Sequence, residues 1–174
     1  GHCGRAPASL LDTLPDAPLD IFGPGEESGT YDSFVEFAIA DLADERGQDD
    51  VTRPDYNSSP NDNVIVEGIE GSDTALGWVG YAFYSEEVDK LKGLSIDAGG
   101  GCVAPTAEAV ADGSYPFSRT LYIYVSKASM AEPAVKAYVD HYLSDDGMGA
   151  VTDVGYVRLP TEALDATRQM WADA

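Results

Sequence analysis

The ten residues Gly23-Pro24-Gly25-Glu26-Glu27-Ser28-Gly29-Thr30-Tyr31-Asp32 carry the plainest chemistry in this chain. An apolar, strand-like stretch from Pro18 to Phe22 runs into a glycine turn. Ser28-Gly29-Thr30 then opens a run, Tyr31 to Leu42, that reads as a helix. The first four N–H groups of a helix have no intrahelical partner and lie at the positive end of its dipole. A small anion, phosphate above all, is a natural occupant. Gly29 lets the backbone approach closely, and Ser28 and Thr30 add hydroxyl donors. The same residues also suit plain helix capping, and the two roles are compatible.

The elements that must position this loop alternate between strand and helix patterns. A strand is expected at about 18–22 and a helix at about 29–45, with Phe34, Phe37, Ala38 and Leu42 at helical spacing and Val35 and Ile39 widening the stripe. Ser59-Pro60-Asn61-Asp62 reads as a helix start, with Ser59 at the cap and Asp62 as a capping carboxylate, for a helix over about 60–70. Ala75 to Gly80 reads as a buried strand, Tyr81 to Lys90 as a short helix and Leu91 to Asp97 as a strand before Gly99-Gly100-Gly101. A short helix is expected over Pro105 to Asp112. Arg119 to Val125, β-branched and aromatic, is the clearest strand signal in the chain. Further on come a helix at Glu132 to Leu143, a short helical turn and bend at Gly147 to Gly155, a strand at Tyr156 to Leu159, and a helix from Thr161 to Ala172 opened by Pro160. Alternating strands and helices imply an α/β layered fold. Residues 1–17 read as an irregular lead-in with Gly1-His2 as a tag remnant, and 18–174 as a single α/β lobe.

Composition narrows the function. Ten basic residues against 31 acidic ones give a net charge of −21. That charge argues against nucleic-acid or anionic-membrane partners, because a polyanion is repelled. A small anion needs only a local site, although that site works against the long-range field. No run of 18 apolar residues predicts a membrane-spanning helix, and the first residues do not follow a signal-peptide pattern. The two cysteines, Cys3 and Cys102, are too few and too far apart for a zinc site. They form either a disulfide, if the protein is exported, or two free thiols. Catalytic motifs are missing: no Ser-His-Asp order, no Gly-x-Ser-x-Gly elbow, no phosphate-binding loop of the Walker type. Beyond His2, only His141 is available as a histidine base, and it reads as a surface residue. No metal or cofactor is expected, and the chain reads as a binding protein rather than an enzyme.

Several segments together resemble the substrate-binding proteins of phosphate ABC transporters. Ile21-Phe-Gly-Pro-Gly-Glu-Glu-Ser-Gly-Thr-Tyr-Asp-Ser-Phe34 looks like that family's anion loop and helix. Arg53 to Val64, Ala75 to Tyr84, Gly101 to Pro105, Tyr115 to Val125 and Val154 to Pro160 follow in the family's order, so the resemblance covers about residues 18–170. It implies a type II periplasmic-binding-protein-like lobe, a layered mixed sheet flanked by helices. In the family, phosphate is captured between two such lobes. Here the family's first half is missing, so the chain looks like most of the second lobe plus the C-terminal segment. The implied partners are inorganic phosphate, the membrane subunits of an ABC permease, and either the missing first lobe or a second copy. The implied location is periplasmic or extracellular, with a membrane anchor in the full-length form as one option.

The resemblance also implies site residues. Ser28, Gly29 and Thr30 match the family's phosphate-contacting Ser-Gly-Thr. Some relatives place an Arg four residues before that Ser, where this chain has Pro24; Arg53 is the candidate to supply the charge, with a surface ion pair as its other reading. Glu26 and Glu27 depart from the commoner Thr-Asp and are expected to face solvent. Tyr81, Phe83 and Tyr84 are expected to pack in the core or against the other lobe, and Arg119 and Arg158 to form structural ion pairs. An isolated lobe used for protein contacts, with little phosphate affinity, is the alternative function.

Overall fold

A computed structural model describes residues 16–174. The lead-in through residue 15, with Cys3, lies outside the described residues. Contacts divide the chain into two compact units, residues 16–105 with 115–117, and residues 106–114 with 118–174, where the sequence reads as one lobe from 18 to 174.

The first unit is built on strand β1 (Asp20–Gly23), flanked by β2 (Asn57–Ser58) and β3 (Ala75–Gly77). All pairings are parallel, with Phe22 opposite Asn57 on one side and Gly77 on the other. Parallel neighbours require crossovers, and helices supply them. The first crossover is α1 (Gly29–Phe34), a π-helical turn (Val35–Ile39) and α2 (Ala40–Arg46) in succession; the second is α3 (Asp62–Glu70). The sheet is therefore purely parallel, and the only antiparallel pair among the described residues is a separate hairpin, β4 (Ile96–Asp97) with β5 (Cys102–Val103). Asp97 Oδ1 closes its turn by accepting the N–H groups of Gly99 and Gly101. A short helix, α4 (Tyr81–Glu86), lies between sheet and hairpin in sequence.

Three expectations in this unit need correction. The apolar stripe on the first crossover breaks from the π turn onward: Ala38 within the turn and Leu42 beyond it are exposed, whereas Ala43 is buried. A π turn holds one residue more than an α turn and rotates everything after it. The second crossover is capped by Asn61, whose side-chain oxygen accepts the Asn63 N–H at 3.1 Å, and Asp62 is its first helical residue. Ser59 works one step earlier, its hydroxyl accepting the Asn61 N–H. The strand expected from Leu91 to Asp97 shrinks to its last two residues.

Ile65 and Val66 of α3 and Tyr31 and Ala43 of the first crossover are buried. Beside them runs an aromatic stack. Phe34 lies flat on Trp78 with centroids 4.2 Å apart, Tyr56 tilts against Trp78 at 5.2 Å, and Phe117 meets both Phe34 and Phe37. Gly77 sits where a Cβ would overlap the Phe22 carbonyl and the Ile69 side chain, so only glycine lets β3, β1 and α3 come this close. Tyr81, Phe83 and Tyr84 are half-buried, with the Tyr81 and Tyr84 rings edge to face at 6.1 Å.

The second unit comprises α5 (Ala107–Ala111), α6 (Pro133–Tyr142), α7 (Asp145–Asp153) and α8 (Thr161–Ala172). The turn expected near Gly147 is in fact a full helix, because the Ser144 hydroxyl caps it by accepting the Gly147 N–H. Its core holds Ala109, Val139, Leu143, Met148 and Leu164. Polar clips fasten α8: Arg168 donates to the Leu143 carbonyl at 2.7 Å and to Asp145 at 2.9 Å, and the Trp171 indole N–H donates to Asp140 at 2.7 Å. Arg158 pairs with Asp145 at 3.3 Å, in line with its structural reading, and His141 is exposed. The strands expected at Arg119 to Val125 and at Tyr156 to Leu159 do not form. A strand exists only through its ladder, and no strand among the described residues pairs with either segment.

Two expectations follow. Gly77→Ala forces a Cβ against immovable backbone, which costs about 1–3 kcal/mol and is read as a lower midpoint in urea with an unchanged slope. The Arg168 and Arg158 guanidinium groups hold the Asp145 carboxyl below its ordinary value, so its stabilising effect is present above the usual carboxylate range and is lost as pH falls through the depressed value. Asp145→Asn therefore lowers the melting temperature at pH 7, and the gap from the unsubstituted chain closes on acidification.

Candidate functional site

Strand order decides where a site belongs. The chain leaves β1 for β2 on one side and then crosses to β3 on the other. The carboxyl end of β1 is thus the topological switch point, where open α/β sheets leave a crevice for ligands. The segment that emerges there is Gly23 to Ser28, the loop singled out by its residue types.

Three contacts hold this loop. Gly23 ends β1, its carbonyl accepting the Ser59 N–H, and the Trp78 ring occupies the space a Cβ at Gly23 would need. The Tyr56 hydroxyl donates to the Pro24 carbonyl at 2.6 Å. The Ser28 N–H closes a turn onto the Gly25 carbonyl at 3.1 Å. Burial, more than the nearby Glu26 and Glu27 charges, raises the Tyr56 phenol above its usual value, which keeps it a hydrogen-bond donor. Tyr56 and Trp78 are structural supports of the loop that residue typing around it passes over. The signal was present in Arg53 to Val64 and Ala75 to Tyr84, two segments of the family resemblance, but nothing local says that an aromatic there braces a loop.

Ser28 is the N-cap of α1, in extended conformation, with its Oγ accepting the Thr30 N–H at 3.2 Å. The capping role is thus realised. It leaves the Ser28 hydroxyl hydrogen free to donate elsewhere, since the oxygen accepts here. The next oxygen down the helix is also engaged: the Ser33 hydroxyl donates to the Gly29 carbonyl at 2.8 Å. Tyr31 is buried beneath the helix start, and the Thr52 hydroxyl donates to its phenol oxygen at 3.4 Å. Ser28, Gly29 and Thr30 are therefore brought together on a braced loop.

Arg53 is held differently. Its Nε donates to Asp55 Oδ1 at 2.6 Å and its terminal nitrogen to Asp55 Oδ2, a two-pronged pair on the open surface. The pairing holds the Asp55 carboxyl below its ordinary value and raises Arg53. The surface ion pair anticipated as its other reading is the arrangement present.

The surroundings are acidic. A cleft of about 480 Å³ beside the helix start is lined by Glu26, Asp32, Glu36 and Asp50 around Tyr31 and Val51. A second, of about 390 Å³, lies along Phe22, Asn57, Ser58 and Glu67. An anion is repelled from the first, so the donors of the loop itself are the feature suited to it. Among the described residues no cluster of His, Cys, Asp or Glu is arranged to hold a metal ion. Cys102 is an exposed free thiol in β5; the pairing with Cys3 lies outside the described residues.

The chain is similar to known proteins along most of its length. A model of the PBP superfamily domain matches residues 7–146. SphX of a Synechocystis species is 38% identical over 87% of this chain and 44% of its own length. Phosphate-binding protein PstS of Staphylococcus haemolyticus is 34% identical over 84% of this chain and 43% of its own. The crystal structure of a possible phosphate binding protein from Planctomyces limnophilus superposes with a TM-score of 0.75 at 34% identity, covering 95% of this chain and 57% of that one. The chain thus spans less than half the length of these curated relatives. It belongs to the PBP superfamily, as a partial relative of its PstS-like phosphate-binding members.

Proposed function

We propose that this chain is one half of a phosphate-capturing protein that delivers its ligand to an ABC-type import permease from the periplasmic or extracellular side. The observation that carries the proposal is the Ser28-capped helix start, braced at the carboxyl end of the central parallel strand. Ser28 and Thr30 supply hydroxyls, and Gly29 lets the anion reach the backbone. Relatives named for phosphate binding support this choice of anion. The role is binding, not catalysis. Among the described residues no helix is long and apolar enough to cross a membrane.

Arg53 enters as an exchangeable cation. Its guanidinium is satisfied by Asp55 while no anion is present. Phosphate offers the same two-pronged geometry with more charge, so it competes with Asp55 for the same fork. Capture is completed by the opposing half, by closure around the ligand. Each charge-assisted hydrogen bond that the missing half would make contributes about 1.5–3 kcal/mol.

The chain alone therefore binds phosphate more weakly than micromolar, as read by chemical-shift titration. Thr30→Ala and Arg53→Ala each weaken binding by about tenfold or more, and Asp55→Ala strengthens it by releasing Arg53. A micromolar or tighter dissociation constant refutes the half-site reading. Affinity untouched by both Arg53→Ala and Asp55→Ala removes Arg53 from the site.

A further inference from the structure

Among the described residues, one buried side-chain nitrogen has no hydrogen-bond partner: Trp78 Nε1. The other indole of the chain, Trp171, donates to Asp140 at 2.7 Å. An indole nitrogen can only donate, and a donor buried without an acceptor carries the full cost of its desolvation. The position of this one is informative. Cε2, the carbon that bears the nitrogen, is among the ring atoms filling the space beside Gly23, at the foot of the anion loop. Phe34 and Tyr56 lie against the same ring.

Four backbone carbonyls run along that foot, and each already holds a donor. Phe22 accepts the Trp78 backbone N–H, Gly23 the Ser59 N–H, Pro24 the Tyr56 hydroxyl and Gly25 the Ser28 N–H. The first three bonds belong to the sheet and its braces. The fourth closes a turn whose middle residues, Glu26 and Glu27, are exposed. Turns of this kind commonly persist without their hydrogen bond. The Ser28 N–H is also a donor that an anion at the loop would use, and while it is turned onto Gly25 no ligand can have it. Handing it to an oxyanion oxygen leaves the Gly25 carbonyl without a donor, close to an indole that is without an acceptor. We propose that capture proceeds by an exchange of hydrogen bonds: the Ser28 N–H leaves the Gly25 carbonyl for an oxyanion oxygen, and Trp78 Nε1–H takes its place on that carbonyl. The unpaired donor at the foot of the loop thus finds its acceptor only in the receiving form. Trp78 is a positioning residue, which holds that form and touches no ligand. The inference rests on the phosphate reading of function and names how that site changes between its two forms.

The test follows the two indole N–H resonances of the chain during titration with inorganic phosphate into the millimolar range. The Trp78 resonance moves downfield in step with the Gly29 and Thr30 amides, while that of Trp171 stays in place. Replacing Trp78 by 3-benzothienylalanine, which has sulfur where the indole has N–H, keeps the ring and its stacking. That variant melts no lower than the unsubstituted chain without phosphate, and binds phosphate about tenfold more weakly; a merely structural role for the N–H would not separate the two readouts. Ser28→Pro removes the donor of the turn and needs no ligand: the Trp78 resonance moves downfield in phosphate-free buffer. Gly29 and Thr30 amides that respond to phosphate while the Trp78 indole does not overturn the proposal. So does an isosteric variant of unchanged affinity, or a Trp78 resonance unmoved by Ser28→Pro. If phosphate shifts no resonance yet Ser28→Pro shifts that of Trp78, the exchange of partners stands and the choice of phosphate as ligand falls.

Discussion

Backbone at Gly23 and the indole of Trp78 share the space that a side chain at position 23 would fill, and the whole first unit is arranged around that contact. Trp78 follows β3, Gly23 ends β1, and the two strands are paired in parallel. Phe34 of α1 stacks on the same indole, and Tyr56, just before β2, tilts against it. One ring therefore ties together the carboxyl ends of the sheet, the first crossover helix and the segment that hydrogen-bonds the Pro24 carbonyl. Filling position 23 would push the ring off all of them. The loop that carries Ser28 rests on packing more than on hydrogen bonds of its own.

The anion site we propose, in a chain of net charge −21, would be a local exception to a global field. The acidic cleft beside Tyr31 shows how near the opposing charge comes. Exposed carboxylates separated by more than a Debye length of about 8–10 Å are screened at physiological salt, so the near ones matter most. Pairing with Asp55 holds the Arg53 cation on the surface. On the reading we propose, backbone donors and hydroxyls, which salt affects little, would matter more to the loop than net attraction.

Much of this was legible in the sequence, and the failures have physical causes. The loop, its helix and the closing helix after Pro160 were readable because their signals are local: glycine, a capping hydroxyl, a proline at a helix entrance. The Asn61 cap was missed because Ser59 and Asn61 are both good caps two residues apart, and only the path of the chain after Ser58 chooses between them. The full helix at Asp145 was undervalued because two glycines, Gly147 and Gly149, mask a sound Ser144 cap. Arg119 to Val125 failed for a different reason. Its composition does describe a strand, but pairing is a property of two segments, and no described segment pairs with it. Arg53 was readable as an interesting cation, and its partner, two residues away, was not singled out.

The π turn at Val35 to Ile39 divides what looks like one long helix into two hydrogen-bonding systems. The Ala40 N–H reaches back to Val35, one residue further than an α-helical bond, and the ladder on either side is continuous only within its own half. The amino-terminal half is pinned by the aromatic stack and by buried Tyr31, whereas the carboxyl-terminal half is mostly exposed and anchored chiefly by Ala43. Fraying from Gly47 inward therefore has a natural stopping place. The far end of the helix can breathe on its own timescale while the turn that begins at Ser28 stays still.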